Sequence, residues 1–146
     1  MDKLRSILLV DDDEATNFFN QIILEDLNIT EHIQVTFDGL QALDYLLKRG
    51  EYEAIEDHIF PELIFLDINM PGMNGFDFLE EYHSIFSNKN DTPLVVMLTT
   101  SLDEGDKQKV LTYDEVADFI NKPLKQEKMR ELLYGLFPGR FTPIED

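Results

Sequence analysis

The chain has no cysteine, only 12 Lys and Arg against 30 Asp and Glu, and no apolar run long enough to span a bilayer. Each shortage excludes something. Without cysteine there is no disulfide frame, no thiolate zinc site and no thiol nucleophile, which fits a reducing compartment. A net charge of -18 and a pI near 4.3 argue against direct nucleic-acid binding, whose affinity comes mainly from cations neutralising phosphates. Anionic membrane surfaces are disfavoured for the same reason. Residues Met1 to Ser6 lead straight into a short apolar run bounded by charges. That is neither a signal peptide nor a spanning helix, and the expected location is cytoplasmic. No repeat, low-complexity tract or interdomain linker interrupts the chain. Its 146 residues, 43% hydrophobic and 11% aromatic, suffice for one cored domain and do not read as disordered.

What the chain does have is a set of apolar runs that end on polar residues. Ile7-Leu8-Leu9-Val10 ends on Asp11-Asp12-Asp13, Leu63-Ile64-Phe65-Leu66 on Asp67, and Leu94-Val95-Val96-Met97-Leu98 on Thr99-Thr100. A fourth segment, Val116 to Asn121, ends on Lys122-Pro123. Runs without polar alternation read as strands buried on both faces, the form that parallel strands take under helices. Parallel strands bring their C-terminal ends to one edge, where open α/β sheets hold ligands.

Between these runs, Phe18, Phe19, Ile22, Ile23 and Leu27 predict an apolar stripe on a first helix of about 14 residues. Ile33, Val35 and Phe37 alternate as in an edge strand. Asp38-Gly39 turns into a helix carrying Ala42, Leu43, Leu46 and Leu47, with Gly50 expected to close it. Glu51 to Phe60 reads as an extended loop. Turn formers from Asn69 to Gly75 precede a helix marked by Phe76, Leu79, Tyr82 and Phe86, and the polar stretch Ser87 to Thr92 returns the chain to the next strand. Asp103 to Tyr113 has a weak stripe through Val110. A last helix, from about Lys125 to Leu136, turns Met129, Leu132, Leu133 and Leu136 inward. Five strands alternating with five helices describe an open α/β sheet with right-handed crossovers. The residues alone do not fix the strand order. A central first strand beside the Asp67 strand would unite Asp11, Asp12 and Asp67.

Two carboxylates 4 Å apart repel by about 4 kcal/mol at an effective dielectric near 20, so such a cluster calls for a cation. Magnesium suits it, taking one or two carboxylates and leaving positions for phosphate oxygens. Zinc does not, since His32, His58 and His83 are scattered outside the cluster. A carboxylate beside a metal can attack phosphorus and become an acyl phosphate, while Lys122 and the Thr99 hydroxyl could hold phosphoryl oxygens. Each piece has a plainer reading. Asp11-Asp12-Asp13 or Asp67 could cap a helix, Thr99 could be a turn hydroxyl and Lys122 a solvated lysine. Their coincidence at strand ends favours a site.

Four strings, Ile7 to Asp13, Leu66 to Gly75, Leu98-Thr99-Thr100-Ser101 and Asp118 to Pro123, together resemble the receiver domain of bacterial two-component response regulators. The likeness runs from roughly Arg5 to Phe137, with residues 1–137 expected as the receiver and 138–146 as a C-terminal tail. It implies a flavodoxin-like, five-stranded parallel sheet in order 2-1-3-4-5 with helices on both faces. It also implies roles. Asp67 would be the phosphoacceptor. Asp12, Asp67 and the backbone carbonyl of Asn69 would bind Mg2+, with Asp11 helping through water. Thr99 and Lys122 would contact the phosphoryl group, and Phe119 would be the switch aromatic, although Met73 and Phe119 also read as ordinary packing residues. In the family the Lys122-Pro123 bond is typically cis. The long interval from Asp12 to Asp67 departs from the shortest receivers and makes Glu51 to Phe60 read as an insertion. Thr99-Thr100-Ser101 and the long Asp103 to Tyr113 segment resemble stand-alone receivers, including those paired with phytochrome-like kinases.

The function this implies is a single-domain phosphoacceptor switch rather than a metabolic enzyme. A histidine kinase or phosphotransfer protein would donate to Asp67, with Mg2+-dependent self-phosphorylation and self-dephosphorylation. Output would pass through a face of helix 4, strand 5 and helix 5 to an unnamed protein target, with homodimerisation left open. Two alternatives stand beside it. A haloacid-dehalogenase-type phosphatase also uses an Asp nucleophile after a parallel strand, but needs an acid where Asn69 stands. A pseudoreceiver would bind partners without taking phosphate.

Overall fold

A computed structural model describes residues 3–87, 89, 92–100 and 103–141. The elements follow in strict alternation: β1 (Ile7–Val10), α1 (Glu14–Leu27), β2 (Ile33–Thr36), α2 (Gly39–Leu46), β3 (Leu63–Leu66), α3 (Gly75–Phe86), β4 (Leu94–Thr99), α4 (Glu104–Leu111), β5 (Val116–Asn121) and α5 (Gln126–Leu136). The strands form one parallel sheet in the order β2-β1-β3-β4-β5, as the resemblance implied.

Side chains along a strand alternate between faces, so unbroken apolar runs supply two cores at once. Leu8, Val10, Ile64, Leu66, Val95 and Met97 enter one core with residues of α2, α3 and α4. Ile7, Leu9, Leu63, Phe65, Val96 and Leu98 enter the other with residues of α1 and α5. No helix among the described residues is long and apolar enough to cross a membrane.

Several local expectations change. In α1 the buried positions are Asn17, Asn20 and Leu24; of the expected stripe, Ile23 and Leu27 pack half-buried against the α1/α5 core, while Phe18, Phe19 and Ile22 face solvent. The helix has the expected length but is rotated. Its phase is set where the Asp13 carboxylate accepts from the Ala15 N–H at 3.2 Å and Asn17 Nδ2 donates to the Asp11 carbonyl at 2.9 Å. Phe37 falls beyond β2 and is exposed, whereas Thr36 is buried with its hydroxyl donating to the Leu9 carbonyl. Gly50 is left-handed (φ 61°) but does not close α2: that helix already ends at Leu46, and Lys48 takes the left-handed conformation just after it (φ 52°). Gly50 instead opens a 3-10 turn, Gly50–Tyr52, and Tyr52 is buried edge-on to Tyr45. The segment expected as an extended loop therefore starts as packed structure.

Beyond α5 the chain turns at Gly139 (φ 89°). Arg140 forks onto Glu62 (2.5 and 3.2 Å), and Phe141 is buried with the α1/α5 core. The expected tail thus begins with packed residues, and its positions 142–146 lie outside the described ones. So do Ser101 of the Leu98 to Ser101 string and part of the polar stretch 87–92.

Candidate functional site

The site follows from register. Val10 pairs with Leu66, so the next residue on each strand, Asp11 and Asp67, sits at the same level of the sheet edge. Asp67 N–H donates to the Val10 carbonyl at 3.0 Å and Asp11 N–H to the Thr36 carbonyl at 3.2 Å. Both carboxylates are nearly buried, and Asp12 is exposed. Asp11, Asp12 and Asp67 each present an oxygen within 4.8 Å of the others.

Lys122 enters from the end of β5. Its Nζ lies 2.5 Å from Asp11 Oδ2 and 3.6 Å from Asp67 Oδ1. The Lys122-Pro123 peptide is cis, and the Lys122 N–H donates to the Thr99 carbonyl at 2.8 Å. Thr99 closes β4 and is fully buried. Burial is the largest influence on Asp67 and pushes its carboxyl above the ordinary value. Asp11 and Asp12 add to the rise, while Lys122 and the Asn69 backbone N–H oppose it.

The structure therefore gathers Asp11, Asp12, Asp67 and Lys122, places Thr99 on the neighbouring strand end, and sets exposed Asn69 two residues past Asp67. Phe119 stands apart. It pairs in register with Met97 and packs, half-buried, against the α2/α3/α4 core. Within the aspartate triplet the capping role falls to Asp13, whose carboxylate takes the Thr16 hydroxyl at 2.7 Å. That bond holds its pKa below the ordinary carboxylate value.

Two supporting features were not expected. Asn17 and Asn20 lie beneath the site, lining one recess with Asp11 and Asp67. Asn17 Oδ1 is buried without a hydrogen-bond partner among the described residues. The available signal was a pair of poor helix formers three apart on α1. Gly75 is the other: a Cβ there would stand 2.6 Å from the Asp67 carbonyl oxygen and 2.7 Å from the Ile68 Cα. Its signal was a glycine at the first residue after Asn74, which caps α3.

Comparison with known proteins decides the family. The sequence pattern of the response regulator receiver domain matches residues 7–134. This chain belongs to that family. The receiver is 37% identical over 100 residues to the response regulator Rcp1 of Synechocystis, covering 68% of this chain and 65% of Rcp1. The match spans only 13% of the signal transduction histidine-protein kinase BarA of Escherichia coli, at 29% identity over 92% of this chain. Among solved structures, a two-component response regulator from Cytophaga hutchinsonii superposes on the receiver with a TM-score of 0.77 at 34% identity, covering 91% of this chain and 96% of that one. The phosphorylated cyanobacterial phytochrome response regulator RcpA gives 0.72 at 29%, covering 90% of each. The Mn2+-bound form of Rcp1 gives 0.69 at 28%, covering 97% of this chain and 99% of that one.

Proposed function

We propose that this receiver is a switch that takes a phosphoryl group on Asp67 from a histidine kinase or phosphotransfer protein and signals by altered binding to a protein target. The observation that carries it is the Asp67 carboxylate, held at the sheet edge between one ammonium and two further carboxylates. In the transfer an Asp67 oxygen attacks phosphorus as the bond from phosphorus to the donor's imidazole nitrogen breaks. That nitrogen keeps the electron pair, and the product is an acyl phosphate. Lys122, already within 3.6 Å, follows the incoming negative charge, and the Thr99 hydroxyl donates to a phosphoryl oxygen.

Three carboxylates facing one lysine leave surplus negative charge, so the donor set fits a hard divalent cation. Asp12, Asp67 and the Asn69 carbonyl would hold Mg2+, with Asp11 assisting through water, and the ion would supply charge neutralisation for the phosphoryl oxygens. The relatives support both halves of this reading, RcpA being a phosphorylated regulator and Rcp1 a Mn2+-bound one. We assign residues 1–137 to the receiver unit and 138–146 to its C-terminal extension. The dehalogenase-type alternative gives way to the family assignment.

Intact-mass measurement after incubation with acetyl phosphate and Mg2+ tests the proposal. One phosphoryl adduct is expected, lost in Asp67→Asn and without Mg2+. If neither acetyl phosphate nor a cognate kinase yields an adduct, the chain is a pseudoreceiver.

A further inference from the structure

The outer edge of the sheet, around α1 and β2, carries a feature that phosphoryl chemistry does not use. A groove of about 860 Å³ runs between the helix and the edge strand, a volume typical of binding clefts. Phe18, Val35 and Phe37 supply its apolar lining, and Asp13 and Glu14 stand among its polar ones. Phe18 is 60% exposed and Phe37 43%. Ile22, one turn after Phe18 on the same helical face, is 40% exposed, and Leu40 at the start of α2 is 54% exposed. Large apolar side chains at one edge in this state mark an interaction surface.

Charge selects the partner. From Ser6 to Leu47 the chain has no Lys or Arg and nine acids: Asp11, Asp12, Asp13, Glu14, Glu25, Asp26, Glu31, Asp38 and Asp44. All of α1, β2 and α2 lies within that stretch. A second copy docking through the same face would set acid against acid, and an anionic lipid surface would be repelled. A cationic partner gains twice, from steering in the field of the chain and from pairing at the rim.

We propose that the α1/β2 groove docks an amphipathic helix of another protein, with apolar residues on one face and Lys or Arg at its margins. Two or three apolar side chains at helical spacing would enter between Phe18 and Phe37, with cations meeting Asp13 and Glu14. This docking is independent of whether Asp67 takes phosphate.

The probe is a synthetic Leu/Lys/Arg peptide of about 18 residues, five helical turns, with Leu at helical spacing. Controls are the same composition scrambled and a version with Glu replacing the cations. Calorimetry and backbone amide shifts are recorded at about 150 mM salt, where non-specific charge attraction is screened. The patterned peptide alone is expected to bind, with shifts confined to α1, β2 and residues 37–40. The double variant Phe18→Ser/Phe37→Ser should weaken binding about tenfold or more with its melting temperature unchanged, since both rings are exposed. Phe19→Ser, on the side of α1 facing Pro123, should change affinity less than about twofold. The proposal is overturned if the patterned peptide fails to bind, if the scrambled peptide binds equally, or if Phe18→Ser/Phe37→Ser has no effect. It is also overturned if sedimentation shows a dimer of this chain that the double variant abolishes, which would make a second copy the occupant.

Discussion

Lys122 sits closer to Asp11 than to Asp67, its Nζ 2.5 Å from one carboxylate and 3.6 Å from the other. The cation is therefore committed mainly to Asp11, and Asp67 keeps only part of its compensation. Burial then decides the sign of the Asp67 shift, which is upward.

A carboxyl raised in the folded state binds its proton more readily folded than unfolded. Stability thus falls as pH rises from the ordinary value of 3.8 through the folded value, and stays reduced above it. Asp67→Asn removes that loss. The variant should melt higher than the wild type at pH 7 without divalent ions, with the gap closing below pH 3.8. A lower melting temperature at pH 7 would contradict the charge argument.

Gly75 and Gly135 should respond oppositely to alanine. A Cβ at Gly75 meets backbone of Asp67 and Ile68 at 2.6 and 2.7 Å, atoms that cannot yield without moving Asp67. Gly75→Ala should cost about 1–3 kcal/mol and slow adduct formation. At Gly135, inside α5, nothing lies within 4 Å, so Gly135→Ala should stabilise by up to about 1 kcal/mol. Urea melts of the two variants give the comparison.

Helix α4 is lightly held. Among its described residues only Val110 is buried, and Lys109 Nζ lies 4.2 Å from the centre of the Phe76 ring on α3. At an exposed site that contact contributes about 0.5–1 kcal/mol. Lys109→Met should therefore speed hydrogen exchange in α4 by about two- to fivefold and leave the β3 amides unchanged. Equal acceleration everywhere would mean global destabilisation instead.

At the opposite end of the sheet, His32 Nδ1 and Ser6 Oγ are 2.8 Å apart. Burial, with His58 nearby, lowers the His32 pKa from 6.5. A depressed folded pKa means the unfolded state takes the proton first. The stability it contributes is complete above pH 6.5 and is lost as pH falls towards the folded value. His32→Gln should flatten the melting temperature as pH falls below 6.5 relative to the wild type. Parallel curves would show that His32 does not titrate there.

The sequence alone showed which residues could carry chemistry, because an acid, a hydroxyl or a lysine closing an apolar run is a local pattern that the pleat turns into a site at a strand end. Asp11, Asp67, Thr99 and Lys122 were legible in that way. Strand order came only from resemblance, since apolar runs of equal character can pair in many orders. The Val10 to Leu66 register that levels the two aspartates is a long-range fact. The face of α1 was misread in part, at Phe18, Phe19 and Ile22 but not at Ile23 and Leu27, for a related reason. Periodicity locates an apolar stripe, but Asp13 and Asn17 fix the helix phase through bonds to neighbouring backbone, leaving Phe18, Phe19 and Ile22 in water. Gly75 is likewise explained only by the backbone folded against it. Local chemistry and periodic burial were thus set by the order of residues. The register, the phase of each helix and the identity of the exposed edge were set by contacts between segments far apart in the chain.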